Sequence, residues 1–174
     1  MIPLGTILVI FFLFLFLVFV ISVLIGVPFL PTHRKQANTM IALAELKPGM
    51  TVVDLGSGAG RLLFAAAAVG AEAIGYELNP FLVLWTKLMI KVKGLNGQVT
   101  VKWQSLYQAD LHNVDVVFAF LFPTPMQKLS PKLFSELKPG AKIISYVFAI
   151  PDKKPIITKE GILVYQVGEN ALTK

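Results

Sequence analysis

The sequence predicts an α/β protein with a mainly parallel sheet, preceded by one N-terminal transmembrane helix. From residue 51 onward, β-favouring apolar runs alternate with helix-forming segments, a pattern typical of parallel strands joined by helices. The first of these strands runs into a turn with three alternating glycines, and a helical run follows at once. An uncharged apolar stretch before residue 31 predicts the transmembrane helix.

The apolar stretch at residues 7–30 is long enough for a membrane anchor. Its 24 positions contain no charged side chain, and roughly 20 residues suffice to cross a hydrocarbon core. A secretory signal would have a basic start, a shorter apolar core and a small-residue cleavage site. This sequence instead has no Lys or Arg before the stretch and Pro-Phe-Leu-Pro near its end. His33, Arg34 and Lys35 follow, so the positive-inside rule predicts a single-pass protein whose domain faces the cytoplasm.

Charge and composition limit the possible partners and cofactors of the remaining chain. We divide it into an anchor at 1–30, a linker with a pre-domain helix at 31–50, and one domain at 51–174. All charged residues follow His33, so this part carries the net charge of +6, which suits an anionic bilayer surface as a partner. Arg34 and Arg61 are the only arginines, and no nucleic acid is expected. The absence of cysteine and the presence of only two histidines predict no metal site.

The elements of the domain follow in order along the chain. A short helix is predicted at 39–46, before the first strand. Strands are predicted at 51–55, 72–77, 99–103, 114–121 and 141–149. Helices are predicted at 59–69, 80–93 and 125–137. A terminal hairpin is predicted at 155–167, with its turn around Lys159-Glu160-Gly161.

The connection from the third strand to the fourth tests the strand order. Residues 104–113 are too few for a full helix. In a sheet of order 3-2-1-4-5 this connection must step over three strand spacings of ~4.8 Å. Ten extended residues reach roughly 33 Å, which is enough. The order is therefore feasible, with a taut loop across the carboxyl edge of the sheet.

The segment from Thr51 to Gly60, Thr-Val-Val-Asp-Leu-Gly-Ser-Gly-Ala-Gly, is the most informative motif. A strand, a tight glycine turn and a helix N-terminus let a ligand approach the backbone closely. The spacing Gly-x-Gly-x-Gly differs from the dinucleotide fingerprint and resembles motif I of the class I S-adenosylmethionine (SAM) methyltransferases. This resemblance implies a Rossmann-like methyltransferase sheet with SAM as methyl donor. The alternative is a generic strand-turn-helix corner.

Two carboxylates accompany this motif. Glu77 ends the second strand, beside the end of the first, where it can accept hydrogen bonds from both hydroxyls of a ribose. Asp54 can order the glycine loop and attract the ammonium of a methionine moiety. Asn79 and Pro80 are expected to cap and begin the next helix.

Five segments follow one another along the chain: Pro-Thr at 31–32, Asp-Leu-Gly-Ser-Gly-Ala-Gly-Arg at 54–61, Gly-Tyr-Glu-Leu-Asn-Pro at 75–80, Leu-Phe-Pro-Thr-Pro-Met at 121–126 and Gly-Ala-Lys-Ile-Ile-Ser at 140–145. Together they resemble a small family of membrane-anchored protein-lysine methyltransferases, which includes mitochondrial enzymes that modify the ATP synthase c-subunit and the adenine nucleotide translocase. The resemblance implies methyl transfer to lysine side chains of a membrane protein, near the bilayer surface. The residues expected to bind the cofactor are Asp54, Gly56, Ser57, Gly58, Gly60, Glu77, Asn79, Ser105 and Leu106.

One position departs from the family pattern. The family has Asp before Leu-Trp after the third strand, where it would meet the adenine amine, whereas this chain has Ser105-Leu106-Tyr107. Ser105 can still accept a hydrogen bond, and Asp110 is the alternative acceptor from the same loop.

The loop after the fourth strand is expected to receive the methyl acceptor. Its residues, Phe120, Phe122, Pro123, Thr124 and Pro125, are apolar or neutral, and Tyr107 is expected opposite them. An apolar channel favours the neutral form of an amine. The loop lacks the Asn/Asp-Pro-Pro-Tyr sequence with which methyltransferases grip a planar amine, which favours a lysine over a nucleobase. The prolines could also simply end a strand and begin a helix.

Two other functions stay open from the sequence. One is a membrane-bound methyltransferase of a lipid or small apolar metabolite, which the anchor and the Phe-rich loop would also suit. The other is a non-catalytic SAM-binding module, because the chain shows no obligatory catalytic base.

Overall fold

The computed structural model describes residues 3–13 and 33–168, which fall into two compact units, Met1–Leu30 and Pro31–Lys174. In the first unit, residues 4–13 are α-helical. The predicted anchor at 7–30 lies outside the described residues except for its first seven positions, and it stays a prediction. None of the helices within the described ranges combines the length and apolar character that crossing a bilayer requires.

The second unit contains four helices, seven strands and one 3₁₀ turn among its described residues. The helices are α1 (Arg34–Ala44), α2 (Arg61–Ala68), α3 (Pro80–Val92) and α4 (Pro123–Glu136). The strands are β1 (Thr51–Leu55), β2 (Glu72–Glu77), β3 (Val99–Trp103), β4 (Val116–Ala119), β5 (Lys142–Tyr146), β6 (Ile157–Lys159) and β7 (Ile162–Gln166). The 3₁₀ turn is Leu106–Gln108.

The sheet has the order β3-β2-β1-β4-β5-β7-β6. Strands β1 to β5 are parallel, and β7 is antiparallel to both β5 and β6. The predicted parallel order 3-2-1-4-5 and the terminal hairpin are therefore confirmed. The connection from β3 to β4 holds only the single 3₁₀ turn, and the Tyr76 hydroxyl accepts a hydrogen bond from the Asp110 amide (3.2 Å) within it.

Alternate residues of the strands feed two apolar cores, one on each face of the sheet. Val52 and Val116 pack with α1, α2 and α3 on one face. Val53 and Val117 pack with α4 and the β3–β4 loop on the other. The carboxyl ends of β1 to β5 lie at one edge of this sandwich, which is where a doubly wound sheet places its ligand crevice.

Two element boundaries differ from the sequence prediction for identifiable reasons. Helix α1 begins at Arg34 rather than at residue 39, because Ala37, Met40 and Ala44 recur at helical spacing and are buried in the core. Strand β5 ends at Tyr146 rather than at residue 149, because Val147 adopts φ of 68° and turns the chain. Strand β4 is likewise shorter, at Val116–Ala119 instead of 114–121, while β1, β2 and β3 have the predicted bounds.

Candidate active site

The glycine loop closes tightly between β1 and α2. Gly56, Gly58 and Gly60 have φ angles of 88°, 54° and 79°, which only glycine adopts without strain. The amides of Gly56 and Ser57 donate to the Tyr76 carbonyl (2.9 and 3.1 Å), and the Gly60 amide donates to the Ser57 carbonyl (2.9 Å). The loop therefore offers a ligand a closely approachable backbone surface whose amides are already largely paired.

The Glu77 carboxylate holds the loop in place. Its Oε2 accepts from the Gly58 amide and its Oε1 from the Asn79 amide, both at 2.8 Å. A carboxylate has about four lone-pair positions, so each oxygen can accept a further hydrogen bond. Glu77 is thus oriented at the predicted ribose position and is only partly buried.

Asn79 begins α3 as predicted. Its Oδ1 accepts from the Phe81 and Leu82 amides (3.0 and 3.4 Å), and Pro80 occupies the first turn. The cap fixes the direction of the chain just after Glu77. A contact between Asn79 and a cofactor stays a prediction.

Asp54 is buried at the end of β1, with 5% of its surface exposed. Desolvation, and secondly the charge of Glu77, raises the pKa of Asp54 to about 7. Near neutral pH this carboxyl is therefore poised between its two protonation states. A cationic ligand group beside it would favour the ionised form.

The Ser57 side chain faces the protein interior rather than the ligand crevice. Its Oγ is buried and has no hydrogen-bond partner among the described residues. A Cβ on Gly75 would lie 2.5 Å from this Oγ, so the serine packs directly against the β2 backbone. Any contact of Ser57 with a cofactor must therefore use its main chain.

Thr86 of α3 is a supporting residue that the sequence analysis did not identify. It is fully buried, and its hydroxyl donates to the Gly58 carbonyl (3.2 Å). A Cβ on Gly60 would lie 2.9 Å from the Thr86 methyl. The glycine loop is therefore fixed against α3 as well as against β2.

The loop after β3 adjoins Glu77, because the Gln104 amide donates to the Glu77 carbonyl (3.2 Å). Ser105 caps the 3₁₀ turn with a long contact from the Tyr107 amide (3.4 Å), and Leu106 is buried. Asp110, the alternative acceptor for the adenine, pairs with the His112 ring (2.9 Å) and is exposed, and the choice between Ser105 and Asp110 stays a prediction. The hydrogen bond from the His112 side chain lowers the pKa of Asp110.

Four aromatic rings converge after β4 and β5. Phe120 lies 4.9 Å from Tyr146 and 6.3 Å from Phe148, and Phe122 lies 5.2 Å from Phe148, between ring centroids. We call these four residues the aromatic cluster. The sequence analysis named Phe120 and Phe122 but missed Tyr146 and Phe148.

Tyr107 and Pro123 are the other two residues predicted for the acceptor channel. Tyr107 is 42% exposed, and its expected position opposite the aromatic cluster stays a prediction. Pro123 is exposed and is the first residue of α4, where the missing amide of proline is tolerated. Its place in the acceptor channel stays a prediction.

A strained turn positions Tyr146 and Phe148. The Phe148 amide donates to the Tyr146 carbonyl (2.9 Å), which closes a three-residue γ-turn around Val147. The φ of 68° at Val147 is unfavourable for a β-branched residue. Ser145 Oγ donates to the Phe148 carbonyl (2.5 Å), and the Val147 amide donates to Gly161 (2.8 Å). Such strain persists only where the surroundings enforce it, and it is concentrated at functional sites.

The raised pKa of Asp54 predicts a pH-dependent cost of folding. Between about pH 4 and 7 the unfolded chain loses this proton while the folded chain keeps it, so the group lowers stability as pH rises, by up to about 1.4 kcal/mol per pH unit. Asp54→Asn should therefore raise the free energy of unfolding, relative to the unmodified protein, more at pH 8 than at pH 5, as measured by chemical denaturation.

Asp115 provides the matched control of opposite sign. Despite its partial desolvation, the hydrogen bond from Lys138 lowers its pKa, supported by a second bond from the Thr51 amide. Asp115→Asn should destabilise the protein at pH 8. An Asp54→Asn effect that is equal at pH 5 and pH 8 would contradict the assignment.

Comparisons with known proteins agree with this geometry. Residues 54–157 match the ANTKMT methyltransferase domain. The rat ATP synthase c-subunit lysine N-methyltransferase is 35% identical over 136 residues, which are 78% of this chain and 62% of that protein. The mouse adenine nucleotide translocase lysine N-methyltransferase is 36% identical over 137 residues, 78% of this chain and 59% of that protein. The chain thus spans less than two thirds of these two relatives.

A shorter relative and a solved structure are covered almost completely. A protein-lysine N-methyltransferase of Saccharolobus islandicus is 30% identical over 154 residues, 83% of this chain and 96% of that protein. The crystal structure of an RNA methyltransferase from Salinibacter ruber in complex with S-adenosyl-L-homocysteine is 33% identical, with a TM-score of 0.73 over 79% of this chain and 92% of that chain. The match over more than half of the chain and the near-complete coverage of a relative show that this chain belongs to the ANTKMT methyltransferase domain family.

Proposed function

We propose that this protein is a SAM-dependent methyltransferase that modifies lysine side chains of a membrane protein. The observation that carries the proposal is the Glu77 carboxylate, which joins the glycine loop to the start of α3 at the carboxyl edge of the sheet. Family membership and the lysine methyltransferase names of three relatives support the reaction type. The complex of the Salinibacter protein with S-adenosyl-L-homocysteine supports the donor.

The residues at this edge fit SAM in three respects. The glycine loop, with positive φ angles at Gly56, Gly58 and Gly60, has no side chains at these positions that would hinder the approach of a nucleoside to its backbone. Glu77 retains acceptor capacity for ribose hydroxyls, and Asp54 offers a buried carboxyl to the ammonium of the methionine moiety. When bound, SAM supplies a methyl group already activated on its sulfonium, so the protein's main task is to position the acceptor in line with it.

The aromatic cluster suits an amine acceptor. Residues 118–126 and 145–150 contain no charged side chain. An amine that enters such surroundings loses hydration, which lowers its pKa from the ordinary lysine value of about 10.4 toward neutrality. The faces of Phe120, Phe122 and Phe148 can also attract the methylated ammonium through cation–π interactions. These properties favour a lysine amine without requiring an acidic or amide side chain.

The Salinibacter likeness makes RNA the competing acceptor to test. That protein is named as an RNA methyltransferase, and this chain carries a net charge of +6. Leu-Phe-Pro-Thr-Pro at residues 121–125 lacks the amide or acid that would grip a planar nucleobase amine. We therefore favour lysine, with a lipid and RNA as the alternatives.

Replacement of Glu77 tests the donor site. Glu77→Ala removes the acceptor for the ribose and the support of the Gly58 amide, so SAM affinity should fall by on the order of 1.5–3 kcal/mol, roughly 10- to 150-fold in Kd. Isothermal calorimetry measures this change. Glu72→Ala is the matched control, because Glu72 is exposed at the opposite end of β2. Equal affinities for both variants would exclude Glu77 from the site.

Replacement of Phe148 tests the acceptor site. Native membranes are incubated with methyl-labelled SAM and the full chain, and the label is then counted in separate protein, lipid and RNA fractions. We expect label on protein lysines. Phe148→Ala should lower the rate about tenfold or more with nearly unchanged SAM affinity, because the acceptor loses its orientation. Phe134→Ala, a half-buried phenylalanine of α4, is the control. Label confined to the lipid or RNA fraction would overturn the lysine assignment.

We also propose that the domain faces the cytoplasm behind an anchor at residues 7–30, because His33, Arg34 and Lys35 directly follow that apolar stretch. A C-terminal tag should then be digested when protease is added to sealed vesicles whose outer surface is cytoplasmic. A marker enclosed in the vesicles must stay intact. A tag that is protected under these conditions would reverse the orientation.

A further inference from the structure

Helix α3 has apolar residues on two opposite faces. Val83, Thr86 and Ile90 are buried against the sheet. The opposite face presents four large apolar side chains to solvent: Leu84, Trp85, Leu88 and Val92, with 68%, 51%, 52% and 67% of their surface exposed. Trp85, Leu88 and Val92 follow Leu84 by one, four and eight residues, and this spacing places all four side chains on one stripe of the helix. A helix that is apolar on both faces normally has a partner on each.

The surroundings of this stripe are basic and contain no acid. Lys87 and Lys91 are exposed beside it. Residues 78–103 contain four lysines and neither Asp nor Glu. Lysines that flank an apolar stripe combine affinity for hydrocarbon with affinity for anionic headgroups. Among the candidate partners, an anionic bilayer surface matches both properties.

Both tryptophans of the chain belong to this region. Trp85 lies on the stripe, and Trp103 ends β3 with 67% of its surface exposed. The Trp103 indole donates to the Leu78 carbonyl (3.0 Å), which ties the end of β3 to the turn before α3. Tryptophan prefers the interface between membrane and water, because its ring is apolar and its N–H is polar.

We propose that the outer face of α3 is a docking surface for an anionic lipid bilayer. We call Leu84, Trp85, Leu88 and Val92, with Lys87 and Lys91, the α3 surface. Asn79 caps its helix and donates its amide to Glu77 (2.8 Å), so the α3 surface begins next to the carboxyl edge of the sheet. The contact belongs to the folded unit Pro31–Lys174 and needs no methyl transfer, so it can be tested apart from the proposed activity.

Intrinsic fluorescence reports on this region, because one of the two tryptophans, Trp85, belongs to the α3 surface and the other, Trp103, ends the adjoining strand β3. The full chain is reconstituted into vesicles of phosphatidylcholine, alone or mixed with phosphatidylglycerol, in which a fraction of the lipid carries brominated acyl chains. In the mixed vesicles we expect a blue-shifted emission and strong quenching by the brominated chains. High salt should weaken both effects, since it screens the lysines.

Variants separate the two parts of the contact. Lys87→Gln with Lys91→Gln should weaken docking on mixed vesicles about 25-fold, at about fivefold per lysine. Leu88→Glu should abolish the quenching. Lys128→Gln with Lys154→Gln, which removes two exposed lysines elsewhere on the same unit, should leave it unchanged. SAM affinity is measured in parallel and should be the same in all variants. An unchanged affinity confirms that each variant is folded.

Three results would overturn the proposal. Emission that stays accessible to a water-soluble quencher on mixed vesicles would exclude lipid contact. A blue shift that depends on protein concentration without lipid would assign the surface to a second copy of the chain. If replacement of Lys128 and Lys154 reduced the quenching as much as replacement of Lys87 and Lys91, the α3 surface would not be the site that binds anionic lipid.

Discussion

The candidate site depends on one carboxylate. Glu77 ends β2 and accepts amide hydrogen bonds from Gly58 in the loop after β1 and from Asn79 at the start of α3. The glycine loop, 19 residues upstream of Glu77 at Gly58, is thereby fixed to the end of β2 and to the adjoining start of α3 on the carboxyl edge of the sheet. Hydrogen bonds to a charged acceptor contribute about 1.5–3 kcal/mol each, so this arrangement is far more rigid than glycines alone would make it. The glycine loop owes its shape to Glu77 as much as to its own sequence.

The same arrangement places a second carboxyl in an unfavourable position. Burial desolvates Asp54, and the nearby charge of Glu77 adds a smaller repulsion, so the pKa of Asp54 is raised to about 7. Ionised Asp54 therefore lowers the stability of the folded protein. Among the described residues, no cationic side chain forms an ion pair with Asp54 that would offset this cost. A cationic ligand group would relieve that cost, so binding energy and folding strain are coupled at Asp54. The coupling is a physical reason for an acid at this position, beyond its fit to a motif.

The sequence predicted those parts of the fold that depend on local pattern. Strands β1 and β2 end where predicted because their β-favouring runs lead into the turn residue Gly56 and into Asn79-Pro80, which begins the next helix. The missing information concerned contacts between distant segments. Tyr146 and Phe148 join the aromatic cluster only because Val147 takes φ of 68°, and nothing local favours that conformation in a valine. The hydrogen bond between Asp110 and the His112 ring was likewise not predicted, although the two residues are close in sequence.

The α3 surface and the aromatic cluster lie in different parts of one unit. Helix α3 packs on one face of the sheet, next to β2 and β3, whereas the aromatic cluster follows β4 and β5. From β3 to β4 the order crosses three strand spacings, about 14 Å in total. That separation runs within the sheet, so a bilayer that contacts the outer face of α3 does not have to cover the cluster. The two proposals therefore concern separate surfaces of the same unit, and an acceptor can enter at the cluster while α3 is docked.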